Sequence, residues 1–420
     1  LSNLLNLNGW STSATVESEH DLLIPAEYRV EPPCCIRCGN AEPRLKKHGV
    51  QEQLFMDTPL HGKRVGIRVK RQRFKCFDCG GTFQQQLPDM DEKRTMTGRL
   101  VKHVEKLSLE RTFSQIANDV GVHEKTVRNI FNDHIGELNA SYWPLTPNYI
   151  GIDELFLVGK PRCIFTNCME NTIMDLLPNR DKATVTAWLM QRQLRELVEV
   201  VTIDMWKPYR DAALTAMPDA TVVVDKFHVV KLANHALDTV RRSLREGKTA
   251  KERRVLLRSR HLILKRRKDL TPEEFTAMQE WTDAVPVLFH AYQAKEDFFD
   301  IYQCRDRLEA MELYDVWKAC LDPATKSTFY EVIRAVDNWR PEIFNYFVYP
   351  VTNAYTESAN GVAKVLARMG RGYSFDAIRA KVLFGQAKHK RPKFGETFGV
   401  SVPHLVRLDR GHASDTLNSE

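Results

Sequence analysis

The stretch VTIDMWKPYRDAALTAMPDATVVVDKFH, Val201 to His228, decides how the rest of the chain is read. An apolar run from Val198 to Ile203, broken only by Glu199 and Thr202, ends at Asp204. About ten residues of helical pattern follow, with Tyr209, Ala212, Ala213 and Ala216 recurring near a 3.6-residue period. Pro218-Asp219 marks a turn. A second run, Thr221 to Val224, ends at Asp225, with Phe227 and His228 just beyond. The unit reads strand, helix, strand, with a carboxylate at the carboxyl end of each strand. In open α/β sheets that edge is where ligands bind. Asp153 upstream and Glu357 downstream stand in similar settings and would complete a metal-binding carboxylate cluster.

Working outward, Tyr149 to Val158 reads as a buried strand carrying Asp153, Cys163 to Cys168 as a second and Thr172 to Leu177 as a third. Lys182 to Leu197 reads as a helix. Three strands, helix, strand, helix, strand is the element order of an RNase H-like fold. Residues 229 to about 345 carry long helical patterns and few strand signals, so they read as an all-helical insertion. Trp281, Phe289, Tyr292, Phe298, Phe299, Trp317 and Trp339 are its expected core. Beyond it, Thr352 or Asn353 can cap a helix on which Glu357, Asn360 and Lys364 share a face. A basic turn follows, Ala367 to Tyr373, which includes Arg371.

Towards the N-terminus, Cys35-Ile36-Arg37-Cys38-Gly39 and Cys76-Phe77-Asp78-Cys79-Gly80 are two knuckles. Each turn brings two thiolates to one point, and two knuckles make a tetrahedral zinc site from Cys35, Cys38, Cys76 and Cys79, with Cys34 spare. The linking segment alternates like a strand and is basic, so Arg68, Lys70 and Arg71 are candidate DNA contacts on a zinc ribbon. Residues from about 92 to 137 read as helical, and Thr112 to Phe131 has helix-turn-helix form around Gly121. Lys125, Thr126, Arg128 and Asn129 would face a major groove.

The 420 residues suffice for roughly two to four domains. The net charge of +7 is unevenly spread. Lys63 to Lys75 holds seven basic residues and no acidic one; Arg241 to Lys268 holds thirteen basic and two acidic. One such run alone reads as a solvated face; the uneven spread points to a polyanion, most simply nucleic acid. Nine cysteines, four of them in knuckles, do not form a secreted disulfide framework. With no long apolar run and no signal-peptide pattern, the expectation is a cytoplasmic protein, on the nucleoid when bound to DNA, with no membrane contact. The chain opens on Leu1, which reads as a non-AUG start or as trimming.

These motifs together resemble bacterial insertion-sequence transposases of the ISL-three family, within the DDE superfamily. The likeness covers nearly the whole chain: both knuckles, the helix-turn-helix, Gly151-Ile152-Asp153-Glu154, Asp204-Met205-Trp206 with Tyr209, Asp225 to Lys231, Thr356 to Gly361, and Arg368 to Tyr373. The domain expectations are an N-terminal segment 1–30, zinc ribbon 31–90, helix-turn-helix 91–140, first core part 148–228, helical insertion 229–345, second core part 346–395 and tail 396–420. The fold class is multidomain α/β.

The resemblance implies a catalytic triad of Asp153, Asp204 and Glu357 holding Mg²⁺ or Mn²⁺, with structural Zn²⁺ elsewhere. Asp225 competes with Asp204 for the second position, and Asp225 with His228 otherwise supports the site. Related groups with helical insertions have a catalytic aspartate and then a C/DxxH pair about twenty residues on, which matches Asp204 followed by Asp225 and His228. The implied substrates are double-stranded terminal inverted repeats and target DNA. The implied reactions are strand cleavage and strand transfer, in a homodimer or larger synaptic complex. Two rivals remain at the sequence level: a catalytically inactive zinc-ribbon and helix-turn-helix regulator, and a nuclease or resolvase-like phosphohydrolase that cuts without joining.

Overall fold

Thirteen strands among the described residues, 5–244 and 260–385, form two sheets in this computed structural model. The first sheet starts in the N-terminal segment, which the sequence left weakly patterned. β1 (Trp10–Thr12), β2 (Val16–Glu17) and β3 (Asp21–Tyr28) all come from it. Leu22, Ile24 and Ala26 of β3 point inward at a period of two. A long antiparallel hairpin follows, β4 (Leu45–Leu60) and β5 (Lys63–Cys76). β3 runs parallel to β5, with Asp21 opposite Arg64 and Ala26 opposite Val69. β6 (Thr82–Gln84) extends β5, and β7 (Met90–Asp91) and β8 (Met96–Thr97) end the order β1-β3-β5-β4-β8-β7. One sheet thus spans both the N-terminal segment and the ribbon. The helical region, expected from residue 92, begins only after β8.

The helices are α1 (Gly98–Glu110), α2 (Phe113–Val120) and α3 (Glu124–Ser141). Thr112 and Gln115 form a capping box that starts α2, and Gly121 ends it at φ +73°, a conformation that costs glycine little. His123 Nδ1 accepts from the Lys125 N–H, at 3.1 Å, and caps α3. Phe113, Ile116, Val120, Val127, Ile130 and Phe131 fill the space between.

The second sheet holds the organising stretch. β9 (Tyr149–Leu157), β10 (Lys160–Asn167) and β11 (Thr172–Leu177) form an antiparallel meander. α4 (Lys182–Met190) is shorter than expected: the helix stops, and Leu194, at φ +54°, leads into a separate 3-10 turn, Arg195–Leu197. β12 (Val200–Ile203), α5 (Lys207–Ala216) and β13 (Thr221–Val224) follow. β12 is parallel to both β9 and β13, giving the order β11-β10-β9-β12-β13. The strands are β-branched and buried on both faces, as a covered sheet requires. Tyr209, Ala212, Ala213 and Ala216 are the buried stripe of α5.

From β13 the chain turns helical: α6 (Lys226–Ser243), α7 (Arg260–Leu264), α8 (Pro272–Ala284), α9 (Pro286–Ile301), α10 (Arg307–Cys320), α11 (Pro323–Lys326), α12 (Tyr330–Asn338) and α13 (Arg340–Phe344). Tyr292, Phe298, Phe299, Trp317 and Trp339 are buried there as expected, whereas Phe289 is exposed on the outer side of α9. The Trp281 side chain, part of the basic run (245–259) and the tail at 396–420 lie outside the described residues. α14 (Ala354–Met369) packs on β9 and β10, and α15 (Phe375–Phe384) on β11 and α1. No helix among the described residues is long and apolar enough to cross a membrane.

β9 and β10 are joined by Val158 (φ +51°) and Gly159 (φ +72°), a two-residue turn with both residues left-handed. A β-branched residue is strained there. Val158→Asn should therefore raise stability by about 1 kcal/mol, read as a higher midpoint in thermal or urea unfolding; an unchanged or lower midpoint would refute this account.

Candidate active site and metal centre

The two knuckles adopt matching backbone turns. Gly39 N–H donates to Cys35 O at 2.8 Å, and Cys35 and Cys76 N–H donate to Asn40 O and Gly81 O at 2.9 Å each. Gly39 (φ +75°) and Gly80 (φ +71°) make both turns possible. The Sγ atoms of Cys35, Cys38, Cys76 and Cys79 all lie within 4.8 Å of one another. Zn–S bonds of about 2.3 Å put tetrahedral sulfurs about 3.8 Å apart, and Cys35 Sγ is 3.9 Å from Cys79 Sγ. Burial opposes ionisation of Cys35, but N–H groups of Cys38 and Arg37 together with the Cys38 and Cys76 thiols outweigh it and bring its pKa down to about 7. Asp78 ties the knuckles together, accepting from Asn40 Nδ2, the Arg44 N–H and Arg44 Nε. The donor set fits structural Zn²⁺. Purified chain should carry one zinc by elemental analysis, and Cys79→Ser should lose it and melt earlier by on the order of several kcal/mol; a metal-free chain with an unchanged melt would remove the centre.

The carboxylates gather at the carboxyl end of β12 and β13, beside β9. Asp153, nearly buried on β9, accepts from the Glu154 N–H at 2.7 Å and from Asn360 Nδ2 at 2.8 Å. Burial raises its pKa to about 6; His228 and the Asn360 bond pull it down, Asp225 and Glu357 push it up. Asp204 follows β12. Burial, then the Asp153 charge, raise it to about 7 against Arg180. Asp225 is fully buried at the start of α6, accepts from the Phe227 N–H at 3.3 Å, and lies 3.8 Å from His228 Nδ1. Burial raises its pKa too. Glu357 is exposed on α14 and lines a cleft of about 330 Å³ with Asp225 and Lys226; Asp204 and His228 line another of about 440 Å³. Among the described residues, only the cysteines form a group whose ligand atoms all lie within 4.8 Å; the carboxylates are more widely spaced. Asp204 Oδ1 and Asp225 Oδ2 are buried without a hydrogen-bonding protein partner. Hard oxygen donors, buried and partly unpartnered, suit Mg²⁺ or Mn²⁺.

Several residues outside the expected triad hold this arrangement. Asn353 occupies the cap position of α14 but does not cap it. Its buried Oδ1 accepts from Thr202 Oγ1 on β12 at 2.5 Å, and its Nδ2 donates to Ile152 O on β9 at 3.4 Å. Thr356 Oγ1 meets Thr166 Oγ1 on β10 at 2.8 Å. Gly151 makes this approach possible: a Cβ there would collide with Thr166 Oγ1 and come to 2.8 Å from Asn353 Oδ1. Asn360, expected beside Glu357 and Lys364, is the buried member of the three and aims at Asp153. Arg180 pairs with Glu154 and lies 4.4 Å from the Trp206 ring centroid, beside Asp204. The residue types flanking Arg180 carry no sequence signal for this.

The expected DNA contacts divide. Arg68 and Lys70 are exposed on β5. Arg71 is not: it is 6% exposed, pairs with Glu92 at 2.6 Å and donates from Nε to Gln85 O at 2.7 Å. Strand alternation places it with Val65, Ile67 and Val69 on the inward face. Lys125 and Asn129 are exposed on α3 and Thr126 is half-buried. Arg128 is half-buried, pairs with Glu124 at 2.8 Å and leans over Phe113. Arg371 is exposed in the turn before α15.

Known proteins agree with this architecture. Residues 150–382, more than half the chain, match the model of an ISL3 transposase family. Residues 31–79 match the zinc finger of transposases IS204/IS1001/IS1096/IS1165, and residues 85–135 the helix-turn-helix domain of transposase family ISL3. The transposase for insertion sequence element IS1001 of Bordetella parapertussis is 24% identical over 363 residues, covering 81% of this chain and 85% of that protein. The transposase for insertion sequence element IS1557 of Mycobacterium tuberculosis is 24% identical over 269 residues, 57% of this chain and 60% of that protein. With its zinc ribbon, its DNA-binding helix-turn-helix and its transposase domain in that order, the chain belongs to the ISL3 family of insertion-sequence transposases.

Proposed function

We propose that this chain binds the terminal inverted repeats of its element, cuts the DNA strand there and joins the freed end to target DNA by a DDE mechanism. Asp153, Asp204 and Glu357 are the proposed catalytic carboxylates. The proposed catalytic unit is an RNase H-like core, 148–228 and 346–395, into which the helices of 229–345 are inserted. The zinc ribbon and helix-turn-helix, 31–90 and 91–140, hold the ends through Arg68, Lys70, Lys125, Thr126 and Asn129, with Arg371 contributing from the turn before α15. Two ends must meet, so the working form is a dimer or larger.

The observation that carries this reading is a set of buried acids at one sheet edge: burial, with Asp225 and Glu357 adding to it, raises Asp153 to about 6, and burial, then the Asp153 charge, raises Asp204 to about 7. Such a site is poised to accept cations. Bound Mg²⁺ would activate the attacking oxygen and neutralise the leaving one. The protein does the positioning. Asn360 holds one Asp153 oxygen and the Glu154 N–H the other, which fixes that carboxylate. Asp204, free on Oδ1, and Glu357, exposed on its helix, approach from the two clefts. Asp225 spends one oxygen on the start of α6, which favours Asp204 as the second ligand and Asp225, with His228, as support.

The test is cleavage and strand transfer on end DNA with Mg²⁺. Asp204→Asn should lose roughly 10³-fold or more with DNA binding retained, and Asp225→Asn should keep measurable cutting. A dead Asp225→Asn beside an active Asp204→Asn would reverse the assignment. Binding without cutting in any divalent metal would favour a regulator.

The raised pKa values also predict a stability effect. Between the ordinary carboxylate value and about 7, folded chain binds protons that unfolded chain does not, so metal-free stability falls as pH rises through that window. Metal-free Asp204→Asn should therefore exceed the parent by on the order of 2 kcal/mol near pH 8, and the gap should close near pH 4. Urea unfolding at the two pH values measures it; a less stable variant near pH 8 would contradict it.

A further inference from the structure

The cleft beside Asp204 continues along α6. His228, Lys231, His235, Asp238 and Arg242 follow at spacings of three and four, so one stripe of the helix faces it. Fourteen steps from His228 to Arg242 at about 1.5 Å rise make the stripe about 21 Å long. Its character changes along its length. At the near end stand the acids and His228. Lys231 and His235 are exposed in the middle. At the far end, buried Asp238 pairs with Arg242 at 2.7 Å and Arg260 at 3.2 Å, and both arginine side chains, about half exposed (56% and 53%), line the cleft. Asp238 thereby works as an anchor that aims two longer cations rather than as an anion facing solvent. Arg241, also on Asp238, is buried behind them.

A cleft of about 440 Å³ lined by the whole stripe is narrow for its length, so its natural occupant is extended, and the cations along it make that occupant anionic. We infer that the α6 stripe is a track for the phosphodiester backbone of the DNA strand that adjoins the scissile phosphate, contacted by Lys231, Arg242 and Arg260. This rests on the proposed catalytic reading of Asp204 and deepens it by naming where the strand runs. The arrangement has a physical use. Acids at the near end repel phosphate until cations cover them, while the cations further out attract it throughout. The strand is held along the stripe before the reacting phosphate is seated.

The experiment uses the full zinc-loaded chain and a fluorescein-labelled duplex carrying the terminal repeat and flank of its own element, with Ca²⁺ in place of Mg²⁺. Binding is followed by anisotropy over a range of salt. Each phosphate contact removed lowers the slope of log K against log salt by about 0.9, so Lys231→Ala with Arg242→Ala should lose about 1.8 and Lys231→Ala alone about 0.9. Lys326→Ala, exposed on α11, should leave the slope unchanged. Lys231 is exposed, so the single variant remains informative if the double variant melts early. A slope equal to that of the Lys326 control overturns the track and leaves the cleft to another partner. Cutting by the unaltered chain in Mg²⁺ is scored separately. Slope loss without cutting keeps the track and removes the catalytic reading; cutting with an unchanged slope does the reverse.

Discussion

A helix from late in the chain lies directly on the central strand of the second sheet, and it can do so because residue 151 has no side chain. Thr166 and Asn353 fill the space a Cβ would need. The close approach lets Asn353 bridge β9 and β12, lets Thr356 reach β10, and brings Asn360 onto Asp153 from 207 positions away in the sequence. Glu357 travels with them on the same helix, its N–H bonded to Asn353 O at 3.0 Å. The seating of Asn353 therefore sets the reach of Glu357. A polar side chain buried this deeply is costly unless satisfied, and here its bonds also fix the helix in register.

The same packing imposes an electrostatic cost. Asp153, Asp204 and Asp225 stand within each other's fields, and burial raises all three pKa values. A fold selected only for stability would replace at least one acid. The surrounding residues instead limit the cost without cancelling it: Asn360 and backbone N–H groups stabilise individual oxygens, His228 lowers Asp153, and Arg180 lowers Asp204. Arg180 is itself tied to Glu154 and rests over Trp206, so it is held beside the acids without a bond to Asp204 that would occupy its oxygens.

Much of this was legible in the chain itself, and the parts that were not share a cause. The bounds of β11 and β13 match those read from the sequence; for β13 the reason is plain, because a strand buried on both faces writes itself as consecutive β-branched residues. The knuckles were legible because metal ligation fixes spacing locally. β1 to β3 were missed because β3 finds its partner about forty residues on, and its half-exposed pattern is weak in isolation. Arg71 was misread as a surface cation although its alternation with Val65, Ile67 and Val69 already placed it inward; its charge outweighed its register in the reading. Thr352 or Asn353 was expected to cap a helix; Asn353 holds the cap position, but its side chain bonds to other strands instead, and no local pattern reports a tertiary partner. Phe289 shows the converse: on a helix within an aromatic-rich segment, composition did not tell which face was covered.

The helix-turn-helix and the carboxylate sheet share one apolar cluster. Phe113, Ile130 and Phe131 of the helix-turn-helix belong to the same apolar cluster as Leu155, Ile164 and Leu176 of the second sheet. α15 locks the two together with charges. Arg379 reaches Asp175 on β11 and Asn139 on α3, each at 2.7 Å. Lys381, almost fully buried, donates to Ser108 O and Arg111 O at the carboxyl end of α1, where a cation meets the negative end of the helix. The rings of Phe113, Phe131 and Tyr373 surround it at 5.0 to 5.5 Å. Burial lowers its pKa to about 8, yet two carbonyls and three ring faces favour the charged form. A buried cation with such partners tolerates little displacement, since any shift strands either the ammonium or the carbonyls. The helix-turn-helix is thus packed against the sheet that carries Asp153 by a shared apolar cluster and by buried, fully partnered charges rather than by the connecting segment alone.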